Sequence, residues 1–364
     1  MIDRKSIYYW KCDRPHAFYA LQESGQKTIP VNYGDEVTAL LSGYFGSNEF
    51  TFRPAGGQGN HITYQVFFKG GTYFLRIEDG PEGDNYMGIE AKVMDEVRKN
   101  GVNTPEVFAV DASRAMIPFA YQIMEFIDFP DLNSIHKKEK LNPKIIGEQI
   151  GESIARWQAI KPRGFGPFDP FPLNTESKLQ GLHANYQDYF LLNWDRHLDF
   201  LTDRRFLSET EKDNLNNIVE SYVPYLHLAQ GCLVHKDLAL WNILGSKDKI
   251  NAFIDWDDSI CGDPTDDLSL LACFHDWKFM VSVLQGYQKV RELPDHFESC
   301  FWLHLLRNMI VKAVIRVGAG YFDRHDDFFL IGSGSDGRTL EIITRERIQL
   351  AYSGLTGDAK LTDL

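Results

Sequence analysis

Between residues 232 and 268, very short apolar runs alternate with dense polar clusters. Leu233-Val234 leads into His235-Lys236-Asp237-Leu238-Ala239-Leu240-Trp241-Asn242. Ala252-Phe253-Ile254 leads into Asp255-Trp256-Asp257, and the stretch closes with Gly262-Asp263-Pro264-Thr265-Asp266-Asp267-Leu268. Such runs read as short buried strands. A carboxylate held at the end of a buried strand is well placed to point into a cleft. Asp237 and Asn242 lie five residues apart on a loop between two such strands, so one loop presents both side chains to the same place.

The sequence before this stretch falls into two parts. Ile62, Tyr64, Val66 and Phe68 alternate with Thr63, Gln65 and Phe67, then Lys69-Gly70-Gly71 breaks the run and Thr72–Ile77 resumes it, which predicts a hairpin. Ile89, Val93 and Val97 lie four apart, predicting a helix over 86–99 that ends at Asn100-Gly101. Strands are expected at Val107–Val110 and Ala120–Ile127, and a short helix over 35–45. From residue 128 the pattern turns helical, with Ile146, Ile150, Ile154 and Trp157 on one face and further helices expected over 185–206, 211–227, 295–318 and 338–353. The expected fold is α+β and two-lobed. A small β-rich N-terminal lobe covers residues 1–127, and a larger, mainly helical lobe covers 128–364. Asp128-Phe129-Pro130-Asp131 reads as the hinge, and residues 1–34 as an extension packed on the first lobe.

Composition narrows the functions open to the chain. Its 364 residues carry 38 basic and 51 acidic side chains, a formal charge of −13. That balance argues against a nucleic-acid or anionic-membrane binder. No apolar run approaches the roughly 18 residues of a membrane span. The five cysteines are scattered, without a C-x-x-C pair. This argues against a disulfide framework or a zinc site and for a reducing cytoplasm.

The 232–268 stretch suits one chemistry well. Moving a phosphoryl group to a hydroxyl needs a carboxylate that orients the acceptor and takes its proton, and hard oxygen ligands for Mg²⁺. Asp237 fits the first role, and Asn242 and Asp255 fit the second. Any one of them alone is unremarkable, but the ordered set H-x-D-x-x-x-x-N, I-D-W and G-D-P-x-x-D-L is hard to obtain by chance.

This set resembles the aminoglycoside phosphotransferase and choline kinase family, which shares the two-lobed protein-kinase-like fold. The resemblance extends from about residue 50 onward. It implies an ATP- and Mg²⁺-dependent phosphotransferase acting on a small-molecule hydroxyl, with Asp237 as the catalytic aspartate and Asn242 and Asp255 as metal ligands. It gives Asp267 a role in bracing the catalytic loop. It further implies a glycine-rich phosphate loop, matched by Gly56, Gly57, Gly59 and Asn60, and a cation on the third strand, matched by Arg76 where the family often has lysine. Glu90 would hold that cation, and the backbone of Glu125 and Ile127 would face the adenine edge, with Met124 behind the base. Gly164-Phe165-Gly166-Pro167-Phe168 resembles a further family segment. Asp255 precedes Asp263 by only eight residues, which leaves no space for a long activation loop and favours a small-molecule acceptor over a protein.

The expected acceptor is a sugar or amino sugar. Acidic and aromatic residues near the site would suit it: Asp257, Asp258, Asp263, Asp266, Phe274-His275-Asp276-Trp277, and Tyr321, Phe322, Asp323, His325, Asp326 and Asp327. An aminoglycoside antibiotic and a choline-like amino alcohol are the alternatives. An inactive nucleotide-binding scaffold is more remote, because Asp237, Asn242 and Asp255 are all present.

Overall fold

The computed structural model describes residues 3–13, 33–55, 61–80, 83–171, 178–325 and 337–364. The expected glycine loop, Gly56, Gly57, Gly59 and Asn60, lies outside them, as do Asp326 and Asp327.

The first half of the chain builds an antiparallel sheet. Its strands are β1 (Phe50–Pro54), β2 (Ile62–Phe68), β3 (Gly71–Glu78), β4 (Val107–Asp111) and β5 (Ala120–Glu125), in the spatial order β1-β2-β3-β5-β4. The β2–β3 hairpin turns at Lys69 and Gly70, both with positive φ. Alternation puts Val66, Leu75, Ile77 and Ile123 on a buried face against Val37 and Leu41 of the helix Gly34–Phe45. The helix Tyr86–Lys99 follows β3, and its Ile89, Val93 and Val97 join the larger core of the second half. This helix therefore ties the sheet to the helical lobe.

The second half is mainly helical. Pro143–Trp157 packs against Trp277–Gln288, and two glycines let the backbones meet. A Cβ at Gly151 would run into the Val283 carbonyl, and one at Gly286 into the Glu148 carbonyl. The long helix Phe297–Gly318 is buried over most of its length and packs on Gly337–Thr356. Short strands Cys232–Val234, Ile243–Gly245, Ile250–Phe253 and Ile260–Gly262 carry the intervening loops to the cleft between the lobes.

Three features differ from expectation. The helix predicted over 185–206 is two, Tyr186–Phe190 and Trp194–Asp203, because Asn193 takes a left-handed φ of 57° between them. The helices Asp266–Ala272 and Trp277–Gln288 lacked a clear period: the first is short and buried throughout, and the second offers Ser282 and Gly286 to its neighbour. Residues 3–13 pack chiefly on the helical lobe. Tyr8 stacks on Tyr189 with centroids 4.9 Å apart, and the Cys12 thiol meets the Val311 carbonyl. Contact with the sheet side runs through Arg4, which pairs with Asp84 and lies over the Tyr86 ring.

Candidate active site

The loop after Cys232–Val234 is held from behind. Asp267, at the start of a buried helix, accepts the Trp157 indole N–H at 3.1 Å, the His235 backbone N–H at 2.9 Å and that of Lys236 at 3.1 Å. His235 donates from Nε2 to the Ile254 carbonyl at 3.0 Å, and its Nδ1 faces the Asp237 N–H. Burial pushes the imidazole pKa down, so the neutral ring fits both contacts. One histidine thus fastens the loop of Asp237 to the strand end that carries Asp255. Lys236 turns away from the cleft with φ 70°. Its ammonium meets Asp266 at 2.7 Å, the Tyr8 hydroxyl at 3.0 Å and Asn308 at 3.2 Å.

That reversal leaves Asp237 pointing forward. Its Oδ1 accepts the Tyr9 hydroxyl at 2.9 Å. Its Oδ2 accepts the Lys11 ammonium at 3.2 Å and Asn242 Nδ2 at 3.1 Å. Burial raises the carboxyl pKa, but Lys11 and Lys312, with the Tyr9 hydroxyl, outweigh it, and the group stays below the ordinary carboxylate value. It is an anion able to accept a hydrogen bond from a hydroxyl.

Asn242 also donates to the Asp237 carbonyl at 2.7 Å, which commits its amide nitrogen and leaves its oxygen for a ligand. Asp255 follows the strand in a left-handed turn, φ 66°, and its side chain is 36% exposed. Burial and the neighbouring Asp257 drive its carboxyl pKa up. Such crowding of like charge is relieved by a cation. Among the described residues no group of three His, Cys, Asp or Glu side chains is arranged to hold a metal. A donor set of one amide and one carboxylate oxygen suits Mg²⁺, which keeps water and phosphate oxygens in its shell.

Across the cleft, Arg76 lies on β3 in register with Gln122 of β5. One guanidinium nitrogen meets Glu90 at 2.5 Å, and another reaches Asp257 at 3.2 Å and Asp255 at 3.5 Å. Gln122 fixes the second Glu90 oxygen at 3.1 Å, and the Trp256 N–H donates to the first at 3.2 Å. The planar fork of arginine spans two carboxylates at once, which a lysine ammonium does less well. His61 adds a contact to Asp257 at 3.3 Å. A cleft of about 640 Å³ opens beside this cluster, with Met124, Glu125, Ile127, Arg76, Glu90, Asn242 and Asp255 among its walls. The Glu125 N–H is spent on the Glu106 carbonyl at 2.8 Å, so this N–H is committed to the neighbouring strand.

Several acids expected around an acceptor do structural work instead. Asp263 accepts the Thr265 N–H at 2.7 Å and faces His304, Asp266 is tied to Lys236 and Asn308, and Asp276 caps the helix Trp277–Gln288. Phe322 stacks on Phe206. The groups that act electrostatically on Asp237 and its neighbours are Lys11, Lys312 and Asp258, the last with its carboxyl pushed up to about 7 by burial and Asp257. Lys312 lies over the Phe274 ring, which packs on Trp241. Sequence reasoning missed Tyr9 and Lys11. No spacing links them to a loop more than 200 residues later, and the only local signal is the polar content of an otherwise aromatic run.

A β-sheet lobe and a helical lobe, with a braced H-x-D loop, a strand-end aspartate and an arginine–glutamate pair facing one cleft, define a kinase-like phosphotransferase. A family model described as the phosphotransferase enzyme family, APH, matches residues 51–297, and the chain belongs to that family, a small-molecule kinase. Solved structures share the fold. One is a thermostable mutant of aminoglycoside phosphotransferase APH(4)-Ia in ternary complex with AMP-PNP and hygromycin B, 17% identical, covering 86% of this chain and 98% of that one, TM-score 0.61. A putative fructosamine-3-kinase from Haemophilus somnus is 13% identical over 86% of this chain and 96% of that one, TM-score 0.57. A microcompartment-associated aminopropanol kinase is 17% identical over 90% of this chain and 99% of that one, TM-score 0.56. No curated protein matches the sequence.

Proposed function

We propose that the protein transfers the γ-phosphoryl group of MgATP to a hydroxyl of a small molecule, with a sugar or amino sugar as the acceptor class. One observation carries the reading. A single histidine, His235, joins the loop of Asp237 to the strand end of Asp255, so a candidate base and a candidate metal ligand face the same cleft. Asp237 orients the acceptor hydroxyl and receives its proton as the new bond forms. Asn242 and Asp255 would hold Mg²⁺, which supplies charge neutralisation at the phosphates. Arg76, steadied by Glu90, neutralises the phosphates from the opposite wall. Glu125 and Ile127 edge the adenine position, and the loop of Gly56, Gly57, Gly59 and Asn60 would close over the phosphates. The acceptor preference rests on the carboxylates of Asp255 and Asp257 beside the cleft, which suit an amine or hydroxyl donor, and on Trp241 in the cleft wall, which suits a sugar face.

Among the described residues no helix is long and apolar enough to cross a membrane, and all five cysteines are free and buried. Both facts are compatible with a cytoplasmic, MgATP-supplied enzyme. The test is coupled ADP release by the purified protein against sugars, amino sugars, amino alcohols and aminoglycosides. Turnover with a sugar or amino sugar is expected. Turnover confined to amino alcohols or to aminoglycosides would replace the acceptor class, and ATP binding without turnover on any acceptor would favour a scaffold.

A further inference from the structure

The N-terminal segment reaches the candidate site through Tyr9 and Lys11, which both contact Asp237, and nothing in the phosphotransfer scheme above uses it. It is built in. The buried Asp13 carboxylate accepts the backbone N–H groups of Tyr8 at 3.0 Å and Tyr9 at 3.1 Å, and meets His197 at 2.8 Å. His197 in turn contacts Arg307, whose guanidinium lies 3.6 Å from the Tyr8 ring centroid. Tyr8 also shares Lys236 with Asp266. Withdrawing the segment would strip the Tyr8 hydroxyl from Lys236 and the Tyr8 ring from Arg307, and would uncover the buried Asp13. A readily displaced plug would not be fastened by buried ions.

The segment delivers Lys11 to a particular place. Its side chain is 35% exposed while that of Asp237 is 6% exposed, so the ammonium stands on the open side of the carboxylate. Its ammonium is held 3.2 Å from the candidate base, in a field set also by Asp258, Asp255 and Asp257. A phosphoryl group passing to a hydroxyl held by Asp237 arrives beside that ammonium.

We propose that Lys11 is a catalytic residue whose ammonium contacts the γ-phosphoryl group during transfer. The inference rests on the phosphotransferase reading above. As the nucleotide binds, the ammonium turns from Asp237 Oδ2 onto the γ-phosphoryl oxygens, which frees that carboxylate oxygen for the acceptor hydroxyl. The acceptor oxygen bonds to the γ-phosphorus, the bond from that phosphorus to the β,γ-bridging oxygen breaks, and ADP leaves with the bond pair. The hydroxyl proton passes to Asp237, while Lys11 keeps its protons and serves as a charge.

A contact confined to the γ-phosphoryl group has a signature independent of the acceptor. Mg·AMP-PNP and Mg·ADP are titrated calorimetrically into full-length wild-type protein, K11M and K11R. K11M should bind Mg·AMP-PNP about tenfold more weakly, the scale of one charge-assisted hydrogen bond, and Mg·ADP within about twofold of wild type. K11R should recover most of the difference, and K11Q gives the same reading if K11M does not fold. Equal loss for both nucleotides, or no loss, would overturn the role. Tighter binding of both in K11M, with faster ADP release, would make the segment an inhibitory plug instead. Wild-type protein that binds neither nucleotide would overturn the phosphotransferase reading and this inference together.

Discussion

At the scale of single residues, the site is a set of charges held in place by buried partners. Asp237→Asn keeps the shape of the side chain but removes the anion. Turnover should fall by at least about 100-fold, the usual contribution of a positioned base, while MgATP affinity measured by titration stays within a few-fold. Unchanged turnover would remove Asp237 from its role. Arg76→Lys replaces a fork by a point. Because one ammonium nitrogen is poorly shaped to hold both Glu90 and Asp257, affinity for Mg·ADP should drop by about tenfold, and an unchanged dissociation constant would count against Arg76 as the phosphate cation. His275 makes a different point. Burial, then His136 and Arg347, push its pKa down to about 3. An unfolded chain binds that proton below about pH 6.5, whereas the fold accepts it only near pH 3. Stability should therefore decline as pH falls across this window, by up to about 1.4 kcal/mol per pH unit from this group. Denaturant melts of His275→Phe should show a shallower decline, and parallel curves would exclude the assignment.

At the scale of elements, the central device is a loop braced by a helix start. Asp267 satisfies two backbone N–H groups of the 235–242 loop and one indole. Asp267→Ala orphans all three, at roughly 1–3 kcal/mol for each buried group left unpaired. Turnover and melting temperature should fall together, and a loss of turnover with an unchanged melting temperature would mean that Asp267 acts other than as a brace. Asp237, Asn242 and Asp255 were legible in sequence because they sit at fixed short spacings on turns bounded by short apolar strands, which leave the turns little choice of direction. Periodicity placed Arg76 on a strand and Glu90 on the helix after it, but their roles came only from the family resemblance. The acids at 263, 266 and 276 were not legible as structural. Whether a carboxylate lines a cleft or closes an ion pair depends on Lys236, His304 and Asn308, which only packing brings to it.

At the scale of the whole molecule, residues 3–13 fasten the helical lobe to the cleft. Asp13→Asn removes the charge facing His197 and Arg307. The bonds lost or weakened are charge-assisted hydrogen bonds from the Tyr8 and Tyr9 N–H groups and His197, each worth about 1.5–3 kcal/mol. The melting temperature should drop by roughly 6 °C or more, at about 2–4 °C per kcal/mol for domains of some 200 residues. An unshifted melt would mean that the segment is only loosely attached.

The chain's periodicities and its H-x-D, I-D-W and G-D-P spacings determined by themselves the two-lobed class, the order of strands and helices in the first lobe, and the oxygen-rich set at 237, 242 and 255, because those signals are local and each element carries its own. Tertiary structure alone decided which carboxylates face the cleft, how Arg76 divides itself between Glu90 and Asp257, and that Tyr9 and Lys11 reach a loop at the far end of the sequence. Burial and ion pairing act between residues that no periodicity connects.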